Sequence, residues 1–474
     1  MTARDESLTP VLGFRRSPGK VPPAPHLYVA FDCDRPRAPS GRHCLADVDQ
    51  IELRRSSARE AGREVREGQR VLGLGIADPW LSGLHAVIRR EGPDFILEDK
   101  GSTNGTLVNG LPCLRATLRD GDVVEVGRTL LLFRAEVPRT ARGAPDLLAA
   151  EEVPEAPAFA TLHAPLAAEV ARWPVIARSA VPVIIGGESG TGKELVARAL
   201  HRLSGRPGPF VAVNCGALSR TLIEGELFGH RKGAFSGADE DRPGLLRSAD
   251  RGTLFLDEVA ELPPSAQAAL LRVLQEGEVL AVGATRPVKV DLRVLAATHV
   301  DLESAVDGGR FRGDLLARLS GFFVRLPPLR ERREDLGPLV ASILGRLDPE
   351  RACAHAFTAE AARALFRHAW PLNVRELEKA LASAVALSAG APIDLCHLPA
   401  SLGDDAAADD EAPPLPAADP SLTDEENRRR WELSALLREH GGNVSEVARA
   451  LGKARMQVQR WMKRYGLEAA AYRA

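Results

Sequence analysis

Residues Gly187, Glu188, Ser189, Gly190, Thr191, Gly192 and Lys193 lie between an apolar run, VPVII, and a stretch of helical character, KELVARALH. Glycines in a G-x-x-x-x-G-K spacing let backbone amides wrap phosphate oxygens without Cβ collisions. A helix N-terminus beyond the loop adds the positive end of its dipole, and a lysine at its mouth reaches the β- and γ-phosphates. The implied ligands are ATP and Mg²⁺. Glu194 stands where such loops usually carry the Ser or Thr that binds the ion, so Mg²⁺ must lean on other groups. The bland alternative is a strand-to-helix turn without nucleotide, which the flanking strand and helix disfavour. About sixty residues on, GTLFLDEV reads as a buried strand ending in two acids. At such a strand end, Asp257 suits Mg²⁺ and Glu258 is placed to orient or deprotonate an attacking water. Phosphoryl transfer also needs positive charge on the γ-phosphate, and Arg312 and Arg318 in GRFRGDLLARL are candidates.

Two other clusters carry chemistry of a different kind. Gly233, Ala234, Phe235, Ser236, Gly237 and Ala238 set one aromatic among small residues, a segment able to display Phe235 to a partner; the alternative is a hairpin whose Phe packs inward. Residues 441–467 give helical apolar spacing, a glycine turn at Gly452 and a second helix from about Ala454 to Tyr465. Val458, Trp461 and Met462 fit a core face, while Arg455, Gln457, Gln459, Arg460 and Arg464 face out. That is a helix-turn-helix dressed for DNA phosphates and base edges, where any single Arg is better cast as a phosphate clamp. Residues 427–467 carry a local net charge of +7 behind an acidic stretch, which fits the same reading.

The elements that must position these groups divide the 474 residues into several domains. A loose arm is expected over 1–25. Short β-type runs (LYVAF, QIEL, AVIRR, FILED, VVEV, TLLLF) broken by Gly and Asn-Gly turns predict an all-β sandwich over 26–136. A Pro/Ala/Glu-rich linker follows over 137–160. Alternating β-runs and helices predict an α/β domain with a parallel sheet from 161, and a helical portion over about 330–400. A second linker spans 401–421, and an all-α module 422–474. No run of about 18 apolar residues and no secretory h-region occurs, so a cytoplasmic protein without membrane contact is expected. Cys33, Cys44, Cys113, Cys215, Cys353 and Cys396 lack metal-binding spacing and read as free thiols.

The stretch 161–400 resembles the AAA+ domain of sigma-54-dependent activators, the bacterial enhancer-binding proteins. The residues that carry the resemblance are GESGTGKE, NCGAL, GELFGHRKGAFSGA, GTLFLDEV, LRVLAATHVDL, FRGDLLARL, LPPLRER and WPLNVRELE. An acid at Glu194 is normal in that family. The resemblance implies that Asn214 is the switch partner of Glu258 and that Thr298 is a sensor near the γ-phosphate. It further implies that Arg312 and Arg318 reach a neighbouring subunit's ATP in a hexameric ring, and that Arg375 is a lid arginine. The loop 233–238, usually GAFTGA and here with Ser236, would contact sigma-54 in its RNA polymerase holoenzyme. Leu372 stands where the family usually has Gly.

The C-terminal module is similar to the Fis-type helix-turn-helix common in these activators, which implies binding to upstream double-stranded DNA. Residues 26–134 resemble a forkhead-associated (FHA) domain through LSGLHAVI, GSTNGTLVNG and LRDGDVVEVG. That implies recognition of a phosphothreonine protein, such as the partner of a Ser/Thr kinase, through Arg55, Ser82, Ser102 and Asn104. The arginine has two placements. Arg55 follows DQIEL and leaves a long charged loop before Ser82; alternatively RVLGLG is the relevant strand and Leu74 has replaced the arginine. The first is favoured, and Gly83 stands where the family often has Arg. Two other functions remain to be weighed: a phosphopeptide-binding DNA protein with a weak ATPase, and a remodeller of a client other than sigma-54.

Overall fold

The computed structural model describes residues 21–139, 146–148, 159–217, 222–234, 238–351, 354–407 and 422–472. Thirteen strands build the N-terminal sandwich. They are β1 Val21–Asp32, β2 Gly41–Cys44, β3 Gln50–Arg55, β4 Glu60–Arg66, β5 Gln69–Ile76, β6 Ala86–Glu91 and β7 Asp94–Asp99. They continue with β8 Thr106–Val108, β9 Leu111–Cys113, β10 Arg115–Leu118, β11 Val123–Val126, β12 Thr129–Arg139 and β13 Asp146–Leu147. One sheet runs β13-β2-β1-β12-β11-β8-β9 and the other β10-β7-β6-β3-β5-β4. Leu27, Val29, Leu131 and Phe133 point between the sheets, with Ile51, Leu53, Leu74 and Leu97 opposite them. Strand alternation then turns Tyr28, Ala30, Leu130 and Leu132 to the outer face, which is also buried.

Several expected boundaries shift. The first strand begins at Val21, inside the segment expected as a loose arm. The expected linker 137–160 includes the end of β12 and strand β13, which pairs with β2. The charged loop expected after Arg55 is strand β4, hairpinned onto β5. Its charges fit because β4 is an edge strand whose side chains face solvent. The second expected linker starts with a helix, Ala400–Ala407, whose Leu402 is buried among lid residues.

The α/β domain has β14 Val183–Gly186, β15 Phe210–Asn214, β16 Thr253–Asp257, then a two-stranded ribbon, β17 Glu278–Val279 and β18 Val288–Lys289, and β19 Arg293–Thr298 and β20 Phe322–Arg325. Its parallel sheet runs β15-β16-β19-β14-β20, with β14, β16 and β19 central. The middles of these strands are apolar because helices cover both faces. The order brings the ends of β14, β16 and β19 together at one edge, where open α/β sheets bind ligands.

Lid helices Leu336–Leu347, Ala359–Arg367 and Asn373–Ser388 follow. They share one apolar core with the outer face of the sandwich. Phe31 meets Phe357 edge-on at 5.4 Å and Phe366 at 6.2 Å. Phe357 N–H donates to the Cys33 carbonyl at 2.7 Å. Gly337 lets its helix touch β1: a Cβ there would lie 2.0 Å from the Ala30 oxygen. Arg363 forks onto the buried Glu125 carboxylate at 2.7 and 3.0 Å. The joint is a continuous core rather than a tethered contact.

The C-terminal module has a leading helix, Asp424–Glu439, then Val444–Ala450 and Arg455–Tyr465. A Thr423/Glu426 capping box starts the first and left-handed Gly466 ends the last. Among the described residues no helix is long and apolar enough to cross a membrane, and the described cysteines are unpaired; Cys353 lies outside them.

Candidate functional site

The loop after β14 is held at its start by Gly187 N–H, which donates to the Thr298 carbonyl at 3.2 Å. Gly190 and Gly192 have φ of +78° and +104°, a region that favours glycine, and the helix Lys193–Ser204 begins at once. Lys193 is buried. Its Nζ donates to the carbonyls of Gly187 (2.9 Å) and Glu188 (3.3 Å) and lies 3.8 Å from Glu258 Oε1. Glu194 pairs with Arg198 at the surface.

Asp257 and Glu258 end β16. Burial, then the Glu258 charge, pushes the Asp257 carboxyl up from its ordinary range, while Lys193 opposes them. Glu258 sits at φ +53°, a left-handed angle that re-aims its side chain out of the strand direction. Its partner is His299, whose Nδ1 lies 2.5 Å from Glu258 Oε2.

This differs from the expected pairing. Asn214 Oδ1 instead accepts from Gly216 and Ala217 N–H at 2.9 and 3.1 Å, capping its own turn. Thr298 is buried, and its hydroxyl exchanges hydrogen bonds with the backbone of Val300. The residue reaching Glu258 from the end of this strand is therefore the next one, His299. Its place directly after an apolar strand, level with Glu258, was the signal that could have found it.

The lid grips the loop. Arg330 donates to both Glu188 oxygens at 2.8 and 2.5 Å, holding that carboxyl down at about 2. Asn373 donates to Glu188 and to the Ser189 carbonyl while accepting from Leu329 N–H. Arg375 N–H reaches the Gly190 carbonyl at 3.3 Å and its guanidinium reaches Ser189 Oγ at 3.3 Å. Buried Arg332 donates to the Thr191 carbonyl. None of Glu188, Arg330 or Asn373 stood out by spacing as a lid–loop latch. Leu372 has φ −102°, which any residue adopts, so nothing there requires glycine. Arg312, the N-cap of the Gly313–Leu319 helix, pairs with Asp314, and Arg318 in its last turn donates to the Leu274 carbonyl; both are exposed.

Gly233 N–H donates to the Ala238 carbonyl at 2.8 Å, and Asp241 binds Lys232 N–H and Arg231. These bonds close the base of the 233–238 loop, with Ala234 beside Gly283 and Ala238 buried. Phe235, Ser236 and Gly237 lie outside the described residues.

In the sandwich, β3 and β5 run side by side with Arg55 opposite Ile76. Leu74 is buried in mid-strand, while exposed Arg55 ends β3 with its N–H on the Ser82 carbonyl at 3.0 Å. Of the two placements, only Arg55 is at a loop. Ser82 Oγ accepts from Thr103 N–H at 3.1 Å, and Asn104 donates to the Trp80 carbonyl at 2.7 Å. Ser102 does not belong with them: it is buried, its Oγ bonded to Asp99 at 2.5 Å, so it braces the loop instead of facing a ligand. His85 is the missed brace. Its Nδ1 accepts from Ser82 N–H, so its Nε2–H donates to the Gly105 carbonyl at 3.1 Å. Burial lowers its pKa and favours this neutral form.

On the helix Arg455–Tyr465, Val458 and Met462 are buried and Trp461 is half-buried under Arg429, 5.0 Å from its ring centroid. Arg455, Gln457, Gln459 and Arg460 are exposed. Arg464 is exposed but pairs with Glu426 of the leading helix.

Comparison with known proteins matches four family models: a sigma-54 interaction domain over 163–325, an AAA+ ATPase lid domain over 330–414, an FHA domain over 61–127 and a homeodomain-like domain over 424–471. The DNA-binding transcriptional regulator NtrC of Klebsiella pneumoniae is 43% identical over 313 residues, 62% of this chain and 67% of that protein. The chain belongs to the sigma-54-dependent transcription regulators. The transcriptional regulatory protein ZraR of Klebsiella oxytoca is 46% identical over 59% of this chain and 62% of its own length. For the Nif-specific regulatory protein of Azotobacter vinelandii the values are 46%, 58% and 52%. The chain thus spans about half to three-fifths of these two relatives. NtrX from Brucella abortus in complex with ADP aligns with a TM-score of 0.47 at 33% identity, over 64% of this chain and 68% of that one. As in other sigma-54-dependent regulators, the central domain is an AAA+ ATPase domain with its lid.

Proposed function

We propose that this regulator hydrolyses ATP in a ring of its own copies, and that the ring remodels sigma-54 RNA polymerase towards the open complex while the C-terminal module holds it on upstream DNA in the cytoplasm. The observation that carries the reading is the convergence of Lys193, Asp257, Glu258 and His299 beneath a loop latched by the lid. Lys193 binds the β- and γ-phosphates. Glu258, steadied by His299, accepts a proton from water as its oxygen attacks the γ-phosphorus; the bond to the β–γ bridging oxygen breaks, leaving ADP and phosphate. Asp257 fits Mg²⁺, an ion held by one or two carboxylates and substrate phosphates; once bound, the ion neutralises charge on those phosphates. Arg312 and Arg318, exposed and distant in sequence from the loop, act on a neighbour's ATP. Arg375 and the Glu188–Arg330–Asn373 latch pass nucleotide state to the lid, and Phe235 contacts sigma-54. The sandwich takes a phosphorylated protein at Arg55, Ser82 and Asn104.

The test is capture of purified sigma-54 holoenzyme by the full chain loaded with ADP and a metal fluoride. Phe235→Ala is expected to keep its ATPase rate and lose capture. Capture undiminished by Phe235→Ala would refute the loop's role, and an unchanged ATPase rate in Glu258→Gln would refute the hydrolytic site.

A further inference from the structure

The leading helix of the C-terminal module, Asp424–Glu439, is buried on two opposite faces. Leu433, Leu436 and Leu437 join Val447, Val458, Met462 and Tyr465 in the module's own core. Trp431 and Ala435 are also buried, at 5% exposure each, yet lie outside that core. At 100° per residue Trp431 projects about 160° from Leu433, almost opposite the middle of the Leu433, Leu436 and Leu437 face. What covers it is the sandwich. The indole lies against Gly105: a Cβ there would come 1.8 Å from its ring. Leu114, just after β9, packs into the module's core. The helix therefore closes the open edge of the first sheet, where β9 is the last strand.

The position of this contact gives it a consequence. Gly105 follows Asn104 and carries the carbonyl that braces His85, which in turn fixes Ser82. The covered edge thus adjoins the loop that presents Asn104. The seat is also stiff. The β8–β9 turn has Asn109 and Gly110 both at positive φ, a tight hairpin, and lid Arg363 and Arg367 lie across it; a Cβ on Gly110 would come 2.7 Å from Arg363. And the seat is imperfect, because the Trp431 indole N–H is buried without a hydrogen-bond partner among the described residues. A strained seat beside a recognition loop is one that a competitor can empty.

We propose that the recognition end of the sandwich doubles as the docking seat of the C-terminal module, so that a phosphorylated partner on the 101–106 loop and the seated helix exclude one another. The exclusion rests on the phosphopeptide reading above; the seat does not. Hydrogen exchange on the full chain decides the seat. Trp431→Ala is expected to speed exchange over 101–114 by about tenfold or more while 444–465 stays protected, with Trp431→Phe between the two. Unchanged exchange over 101–114 in Trp431→Ala would overturn the seat, and loss of protection over 444–465 in Trp431→Ala but not in Trp431→Phe would overturn it in favour of a fold defect in the module. A pool of phosphothreonine peptides with random flanks then tests exclusion. Trp431→Ala should bind the pool at least about fivefold more tightly than the unaltered chain. Equal affinity would overturn exclusion. Binding to neither protein would remove the phosphopeptide reading, with the exchange result still deciding the seat.

Discussion

The sandwich has two borders with the rest of the chain, and they are built differently. Towards the lid it presents a whole sheet face: Tyr28, Ala30, Phe31, Leu130 and Leu132 merge with Phe357, Phe366 and Trp370 in one core, sealed by the Arg363–Glu125 pair. Towards the leading helix it offers an edge, where one indole lies on Gly105, Leu114 packs against the module's core, and the indole N–H has no hydrogen-bond partner among the described residues. The first border has the apolar density of a domain interior and no reason to open. The second is narrow and carries a polar cost. A sandwich fused to the lid and lightly clipped to the C-terminal module can change the second contact without losing the first.

Four outcomes would sharpen or break this contrast. The largest effect is expected from a chain starting at Thr161, which removes the sandwich and bares the lid's half of the joint core. It should aggregate or unfold with lost cooperativity in calorimetry; a soluble, fully cooperative fragment would show the border to be peripheral. Phe31→Ala should cost about 3–5 kcal/mol in denaturant unfolding of the full chain, as expected for a buried aromatic. Arg363→Ala, which leaves Glu125 buried without its partner, should cost a similar amount, about 3–5 kcal/mol, and Arg363→Met with Glu125→Leu should recover most of it. Trp431→Ala should move the main unfolding transition by less than either, because its contact is small and its indole N–H has no partner among the described residues.

The smallest effect is a pH dependence. Burial lowers the folded pKa of His85 below that of the unfolded chain. The unfolded state therefore takes up the proton first as pH falls. The contribution of neutral His85 is complete above about pH 6.5, the ordinary His value, and declines below it. His85→Asn should flatten that decline in a pH series of sandwich unfolding. An unaltered profile would show that other groups set it.

Much of the ATP site was legible because its chemistry needs fixed residues at fixed spacings: Gly187 to Lys193, then Asp257 and Glu258 at the end of an apolar run. What the spacing could not supply was the partner of Glu258. Asn214 and Thr298 occupy the expected strand ends, but Asn214 Oδ1 and the Thr298 hydroxyl are engaged by nearby backbone, and His299 makes the contact. The latch through Glu188, Arg330 and Asn373 joins residues more than 140 positions apart, a separation no local pattern encodes. The sandwich strands were legible as runs, and LYVAF and TLLLF held a further signal. A half-exposed strand alternates, whereas these are apolar at every position but Thr129, as a strand covered on both faces must be. The charged β4 failed as a strand for the opposite reason: an edge strand with both faces in solvent has no apolar period to read.

The proposed function has ATP hydrolysis at Glu258 drive sigma-54 polymerase through Phe235. Single-round transcription from a sigma-54 promoter, with the full chain and holoenzyme, tests it most directly. Transcripts should appear with ATP, fail with a non-hydrolysable analogue, and vanish in both Glu258→Gln and Phe235→Ala. Transcripts that persist with the analogue, or in Phe235→Ala, would contradict it.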